Sequence, residues 1–389
     1  MKFSQFGRIA LAAIALTAMS LTISACSVGY AVDYLYVTTA TSSSVQAYNV
    51  DSQTGSLTAI ATYPAGGTDP VAEVVSPNGK YLYVANNGSA SISQFNIAAD
   101  GTLTAGPVVK LPGTGNNPTY LATDPEGLNL LVIYTYKTGT TGTGGIAVYP
   151  LSSSNGNLGT GTAYSVGNNP TGLNVTDFVE TNHIYYVYVV DRSDAQVLAF
   201  SLNATSGALT PTSPASFPAG VAPYSVVSGP TAKYVYVTDS AANQLITYNI
   251  TSTGTLTPMI DSPYITGAFP KAVTIDPRGL YLYLTDYNTS TVSPYALNVT
   301  TGAPSTIPLT SSNNTDSVGT YPTAICIEPA LGQYLFTANY LDNSVSALQL
   351  NANTGVLTAV ENTPFNTGAQ PTAVVAVAAG NHATQIVQP

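Results

Sequence analysis

A four-residue phrase, Gly-x-x-Pro, returns seven times in this 389-residue chain, and its spacing leaves few folds open. It occurs at Gly67-x-x-Pro70, Gly115-x-x-Pro118, Gly167-x-x-Pro170, Gly220-x-x-Pro223, Gly267-x-x-Pro270, Gly319-x-x-Pro322 and Gly368-x-x-Pro371. The prolines lie 48, 52, 53, 47, 52 and 49 residues apart. Each precedes a strand-like run, and several short β-segments fit inside each interval. A period near fifty built this way predicts an all-β fold, a seven-bladed β-propeller with four-stranded antiparallel blades.

The interval after Pro70 shows the order best. A short apolar strand from Pro70 leads to the turn Ser76-Pro77-Asn78-Gly79, then to the strand Tyr81-Leu82-Tyr83-Val84. The turn Asn86-Asn87-Gly88 follows, then an alternating strand over residues 91–97, an Asp100-Gly101 turn and a fourth strand from Leu103. Aromatic and β-branched residues suit the pleated surface, and Gly, Asn and Pro mark the turns. The second strand recurs at Tyr34, Tyr81, Asn129, Tyr186, Tyr234, Tyr281 and Tyr334. The two series are out of phase at the ends: the repeat region opens on a second strand and closes on an unpaired first strand, residues 371–377. The C-terminal strand is therefore expected to complete the sheet begun by residues 34–69, which removes the open edge of a linear array. Residues 34–377 form one domain on this reading, with 378–389 as a tail.

Residues 1–25 read as a leader. Lys2 and Arg8 precede an apolar stretch over residues 9–21, and Ile23-Ser24-Ala25 stands before Cys26. This is a secretory signal with a site resembling that of bacterial lipoproteins, where Cys26 becomes a lipidated N-terminus and residues 26–33 a short tether. Cleavage after Ala25 without lipidation is the alternative. The expected location is the cell envelope, periplasm or cell surface, with the outer membrane for a Gram-negative host. The only other cysteine, Cys326, has no disulfide partner and reads as a buried thiol. The net charge of −10 becomes −12 without Lys2 and Arg8. That argues against nucleic acid, which needs a basic surface. Membrane contact is expected through the anchor alone, and the chain is expected to be a monomer.

The Gly-x-x-Pro strand, the run Pro77-Asn78-Gly79-Lys80-Tyr81-Leu82-Tyr83-Val84-Ala85-Asn86 and the Asn351-x-x-Thr354-Gly355-x-Leu357-Thr358 turn occur together. In combination they resemble the lactonase family of seven-bladed propellers, which includes bacterial 6-phosphogluconolactonases and fungal muconate-lactonising enzymes. The resemblance covers residues 34–377. It implies hydrolysis of a lactone, with a His directly after one of the repeat prolines and Arg and Glu nearby. No cofactor is implied.

In a propeller the loops entering the first strands share a face with those leaving the second strands. That face is expected to carry the residue after each proline: Val71, Thr119, Thr171, Tyr224, Lys271, Thr323 and Thr372. None is His; the chain has two histidines, His183 and His382, both expected elsewhere. The second-strand ends add Asp191, Asp239, Asp286, Tyr287, Asn339 and Lys137 to the expected ligand face. Opening a lactone requires a base for water and a cation or dipole for the carbonyl oxygen. Glu73 stands where the other repeats have apolar residues, Lys271 is the one cation directly after a repeat proline, and Arg192 is the arginine at a second-strand end. These three form the candidate catalytic set. The plainer alternative is that Glu73 meets a backbone donor or water while Lys271 and Arg192 balance Asp286 and Asp191. Asp191, Asp239 and Asp286 occupy equivalent ends of successive blades and suggest either a cation site or turn-capping carboxylates, the second being favoured. No metal is assigned. The Gly-rich segment 138–145 lacks the lysine and helix of a phosphate loop and reads as a covering loop.

Two functions follow. One is a binding or scaffold module taking a small sugar-like ligand or an envelope protein at the channel mouth. The other is a lactone (carboxylic ester) hydrolase. The missing His favours the first, and the family resemblance favours the second.

Overall fold

The computed structural model describes residues 31–113, 116–136, 143–177, 183–307 and 316–380. Cys26, Lys137 and His382, with the leader and most of the Gly-rich segment, lie outside them. The described residues form seven antiparallel sheets. Six of the seven first strands, innermost around the axis, begin at the repeat prolines, among them Pro70–Val75, Pro223–Ser228, Pro270–Ile275 and Pro322–Ile327; the other, Asn116–Thr123, begins two residues before Pro118. The ring closes as the repeat phase requires. Pro371–Ala378 pairs with Ala31–Thr39, so the last strand of the chain is the innermost strand of the first blade. In blades five to seven the outer strand is split into two short pieces, such as Leu256–Pro258 and Tyr264–Ile265, a division the repeat pattern does not announce.

The second strands are buried on both faces because each is sandwiched between neighbouring blades. This explains why Tyr (27) so exceeds Phe (9). Tyr36, Tyr83, Tyr188, Tyr236 and Tyr283 are fully buried, and each donates its hydroxyl to the carbonyl of a turn glycine in the next blade. The Tyr236 hydroxyl, for example, lies 2.6 Å from the Gly302 oxygen. A buried Tyr must place its hydroxyl, and here that need becomes an inter-blade bond. The glycine is required on steric grounds as well. At Gly302, with φ +70°, a Cβ would lie 2.4 Å from the Tyr234 ring.

The Gly-x-x-Pro phrase has a comparable cause. Among the described residues its glycine packs against the last residue of the second strand of its own blade. A Cβ on Gly220 would fall 2.0 Å from Asp239 Oδ2, and one on Gly319 would fall 2.6 Å from Asn339 Nδ2. Immediately after the proline the ladder slips by one residue, a β-bulge. The bulged residue turns into the central channel.

Candidate functional site

That bulge fixes the site. Val71, Thr119, Thr171, Tyr224, Lys271, Thr323 and Thr372 all line one cavity of about 540 Å³ at the mouth of the channel, as expected from the sequence. Four of the threonines clasp the next blade: Thr119, Thr171, Thr323 and Thr372 donate to the carbonyls of Pro170, Pro223, Pro371 and Pro70. Asn87 makes the same reach to the Pro118 carbonyl. Where Tyr224 and Lys271 replace threonine, the clasp is not made and side chains of a different kind occupy the wall. There the bulge frees the amides of Ser225 and Ala272, and the hydroxyls of Thr238 and Thr285 accept them at 3.0 Å each.

One arc of the mouth is therefore chemically distinct. Tyr224, Phe269, Tyr287 and Tyr321 form a continuous aromatic row, with centroid separations of 6.4, 5.6 and 4.5 Å, the last pair stacked. Two cations lie on it, Lys271 on the cavity wall and Arg192 beside it, outside the cavity lining. Lys271 Nζ is 4.4 Å from the Tyr287 centroid and 5.4 Å from that of Tyr224. The Arg192 guanidinium carbon is 5.4 Å from the Tyr224 centroid and 5.7 Å from that of Phe269. Such contacts attract a cation to the ring face without neutralising it. Burial, and then the charge of Arg192, push the Lys271 ammonium down to about 8.

Glu73 and Lys271 are the two charged residues on the cavity wall. They make no ion pair with each other. Glu73 contributes to the wall, but both its carboxylate oxygens are covered and neither makes a hydrogen bond of normal geometry. Burial pushes its carboxyl well above the ordinary range, and the Thr38 main chain pulls weakly the other way. Cys326, on the inner strand of blade seven, is a free thiol raised by burial and then by the nearby carboxyls of Glu73, Asp33 and Glu328.

The second-strand ends are placed differently from expectation. Asp191, Asp239, Asp286 and Asn339 are fully buried beneath the mouth and do not line the cavity. The reason is backbone satisfaction. Asp239 accepts the amides of Val221 and Ala222 at 2.7 and 3.0 Å, and those of its own turn, Ala241 and Ala242. Asp191 does the same for Asn168, Asn169, Ser193 and Asp194. Asp286 accepts from Ser293 and Thr291, and burial raises it to about 7. Asn339 donates to Ser344 and Ser346. Asp191 and Asp239 thus hold the Gly-x-x-Pro loops of their blades, while Asp286 and Asn339 hold third-strand hydroxyls; among the described residues no three His, Cys, Asp or Glu gather as metal ligands. Nor do they balance the cations: neither Lys271 nor Arg192 pairs with a carboxylate among the described residues. Tyr287, by contrast, does line the cavity. His183 sits at the other end of its blade, 2.7 Å from Glu126.

Phe269, Tyr321 and Tyr340 were missed in the sequence. Phe269 and Tyr321 fill the position before the repeat proline with φ of 60° and 59°, where other repeats carry Asp69, Asn117, Asn169, Ala222 and Gln370. Aromatic residues at a turn position that is otherwise small or polar were the available signal.

The architecture is a seven-bladed propeller with a cavity at its channel mouth, bordered by one aromatic, cationic arc. The chain belongs to the family described as Lactonase, 7-bladed beta-propeller, which it matches over residues 28–308. It is 37% identical over 94 residues to a 6-phosphogluconolactonase of Yersinia pestis, a match spanning 24% of this chain and about a quarter (26%) of that enzyme. Its fold is similar to that of a Bacteroides fragilis protein provisionally named a 6-phosphogluconolactonase (TM-score 0.75, 19% identity, 90% of this chain and 99% of the other). It is also similar to that of a periplasmic gluconolactonase of Pseudomonas aeruginosa (TM-score 0.72, 18% identity, 89% and 99%).

Proposed function

We propose that this chain hydrolyses a sugar lactone at the channel mouth. The observation that carries the reading is Lys271: an ammonium on the wall of a cavity large enough for a sugar, in no ion pair with a carboxylate among the described residues. Membership of the lactonase family supports it. In the reaction a water oxygen bonds to the lactone carbonyl carbon, the ring C–O bond breaks, and the ring oxygen leaves as a hydroxyl. Lys271 holds the carbonyl oxygen as it becomes an oxyanion. Glu73, turned from its covered position into the cavity, takes the water proton and returns it to the leaving oxygen. The aromatic row carries the sugar ring. The chain works outside the cytoplasm, held by lipid on Cys26; the leader sequence and the periplasmic relative support that placement.

A second reading is a binding module for the same kind of molecule. The covered oxygens of Glu73 and the absence of His after any repeat proline favour it. One experiment separates the two: gluconolactone, its 6-phosphate and a muconolactone are offered to the wild type, Glu73→Gln and Lys271→Met. Turnover above the spontaneous rate that disappears in both variants supports the hydrolase. No turnover, or turnover indifferent to both substitutions, leaves the binding module.

A further inference from the structure

Arg192 has no role in the reaction just described, and its setting is unusual for this chain. Only 9 Lys and Arg stand against 19 Asp and Glu. Even so, Arg192 and a second cation, Lys271, share the Tyr224 ring, each 5.4 Å from its centroid. Holding two like charges together costs free energy unless something answers them. The neighbouring carboxylates do not: Asp191 is engaged by backbone amides, and Asp194 accepts from the Asn168 side chain. Tyr224 and Phe269 lie against the guanidinium. A ring beside a guanidinium does not satisfy its N–H donors as an oxygen acceptor would. Among the described residues, no acceptor takes those donors.

We propose that Arg192 receives a carboxylate carried by the ligand, so that the molecule taken at this mouth is a sugar acid or its lactone with a free carboxylate. The inference rests on the lactonase reading for the position of the reacting carbonyl, which Lys271 holds. The remaining fixed charge is one guanidinium, and its edge fits a carboxylate with two parallel hydrogen bonds. A phosphate dianion would bring twice that charge into a strongly acidic chain. The aromatic row meets the apolar face of the same sugar.

The test compares three pyranoses that differ at one carbon: glucuronate, glucose and glucose 6-phosphate. Binding of each to the full chain is measured by calorimetry at two salt concentrations, alongside Arg192→Gln and Arg192→Lys. Glucuronate is expected to bind at least ~10-fold tighter than glucose, the roughly 1.4 kcal/mol of one charge-assisted pair. Arg192→Gln should abolish that preference and unfold at the wild-type temperature. Arg192→Lys should keep the salt dependence and lose part of the preference. Equal binding of the three sugars, a preference that survives Arg192→Gln, or tighter binding of glucose 6-phosphate each overturns the proposal. Hydrolysis of neutral gluconolactone is followed in the same preparation. Turnover without a glucuronate preference sinks this inference and spares the lactonase, whereas a preference without any turnover does the reverse.

Discussion

The Lys271 ammonium lies 4.4 Å from the centroid of the Tyr287 ring, on a cavity wall where no carboxylate pairs with it. A lysine held this way stays charged at neutral pH but loses its proton near 8. In the proposed reaction Lys271 must be protonated and Glu73 ionised. Activity should therefore rise with pH as the elevated Glu73 carboxyl gives up its proton, then fall through about 8 as Lys271 is neutralised. Lys271→Arg should remove the alkaline fall, because a guanidinium does not titrate there. A kcat/KM profile of wild type and variant checks this; an alkaline limb that persists in the variant assigns it to another group.

Asp33 gives a stability prediction of the same kind. Burial, and then the Glu328 carboxyl beside it, push Asp33 up to about 9. In the unfolded chain an Asp ionises near ~4. Between those values the unfolded state has released a proton that the folded state retains, so stability falls as pH rises through the window. Asp33→Asn should lose this dependence and melt above the wild type at alkaline pH. Melting curves from pH 5 to 9 would show parallel lines if the assignment is wrong.

Asp239 is expected to be structural. Asp239→Ala strands the amides of Val221 and Ala222 and should cost about 2–3 kcal/mol in denaturant unfolding, in line with lost hydrogen bonds to a buried charge. Added Ca²⁺ should leave the wild-type melting temperature unchanged. A rise with Ca²⁺ that is absent in the variant would restore the cation reading.

The tyrosine latches can be counted one at a time. Tyr236→Phe keeps the ring and removes the bond to the Gly302 carbonyl, with an expected loss of about 1–2 kcal/mol. Phe336 already occupies the matching place in blade seven, so the ring alone can fill the site. No measurable loss in Tyr236→Phe would mean that the Gly302 carbonyl finds another donor.

The fold was legible because its punctuation has a physical cause: the described repeat glycines leave room for a second-strand side chain, and six of the seven repeat prolines begin an inner strand. The ring of residues after the prolines was legible for the same reason. The second-strand ends were misplaced because alternation along a strand says which way a side chain starts, not which donors will draw it in. Asp239 turns under the loop because four amides need an acceptor. Glu73 was found at the wall, but its covered oxygens depend on a side-chain torsion that residue order does not encode. Phe269 and Tyr321 were passed over because a variable position inside a motif reads as spacer.

The pairing of Pro371–Ala378 with Ala31–Thr39 also orders events in time. A ribosome delivers the first blade's outer strands before the other six blades and its inner strand after them. At typical elongation rates the interval is on the order of tens of seconds. Throughout it the nascent ring exposes one unpaired strand edge, so the first blade is both the earliest to begin and the last to be finished. A stop codon placed before Pro371 would leave the other six blades intact in composition, yet strand that edge permanently.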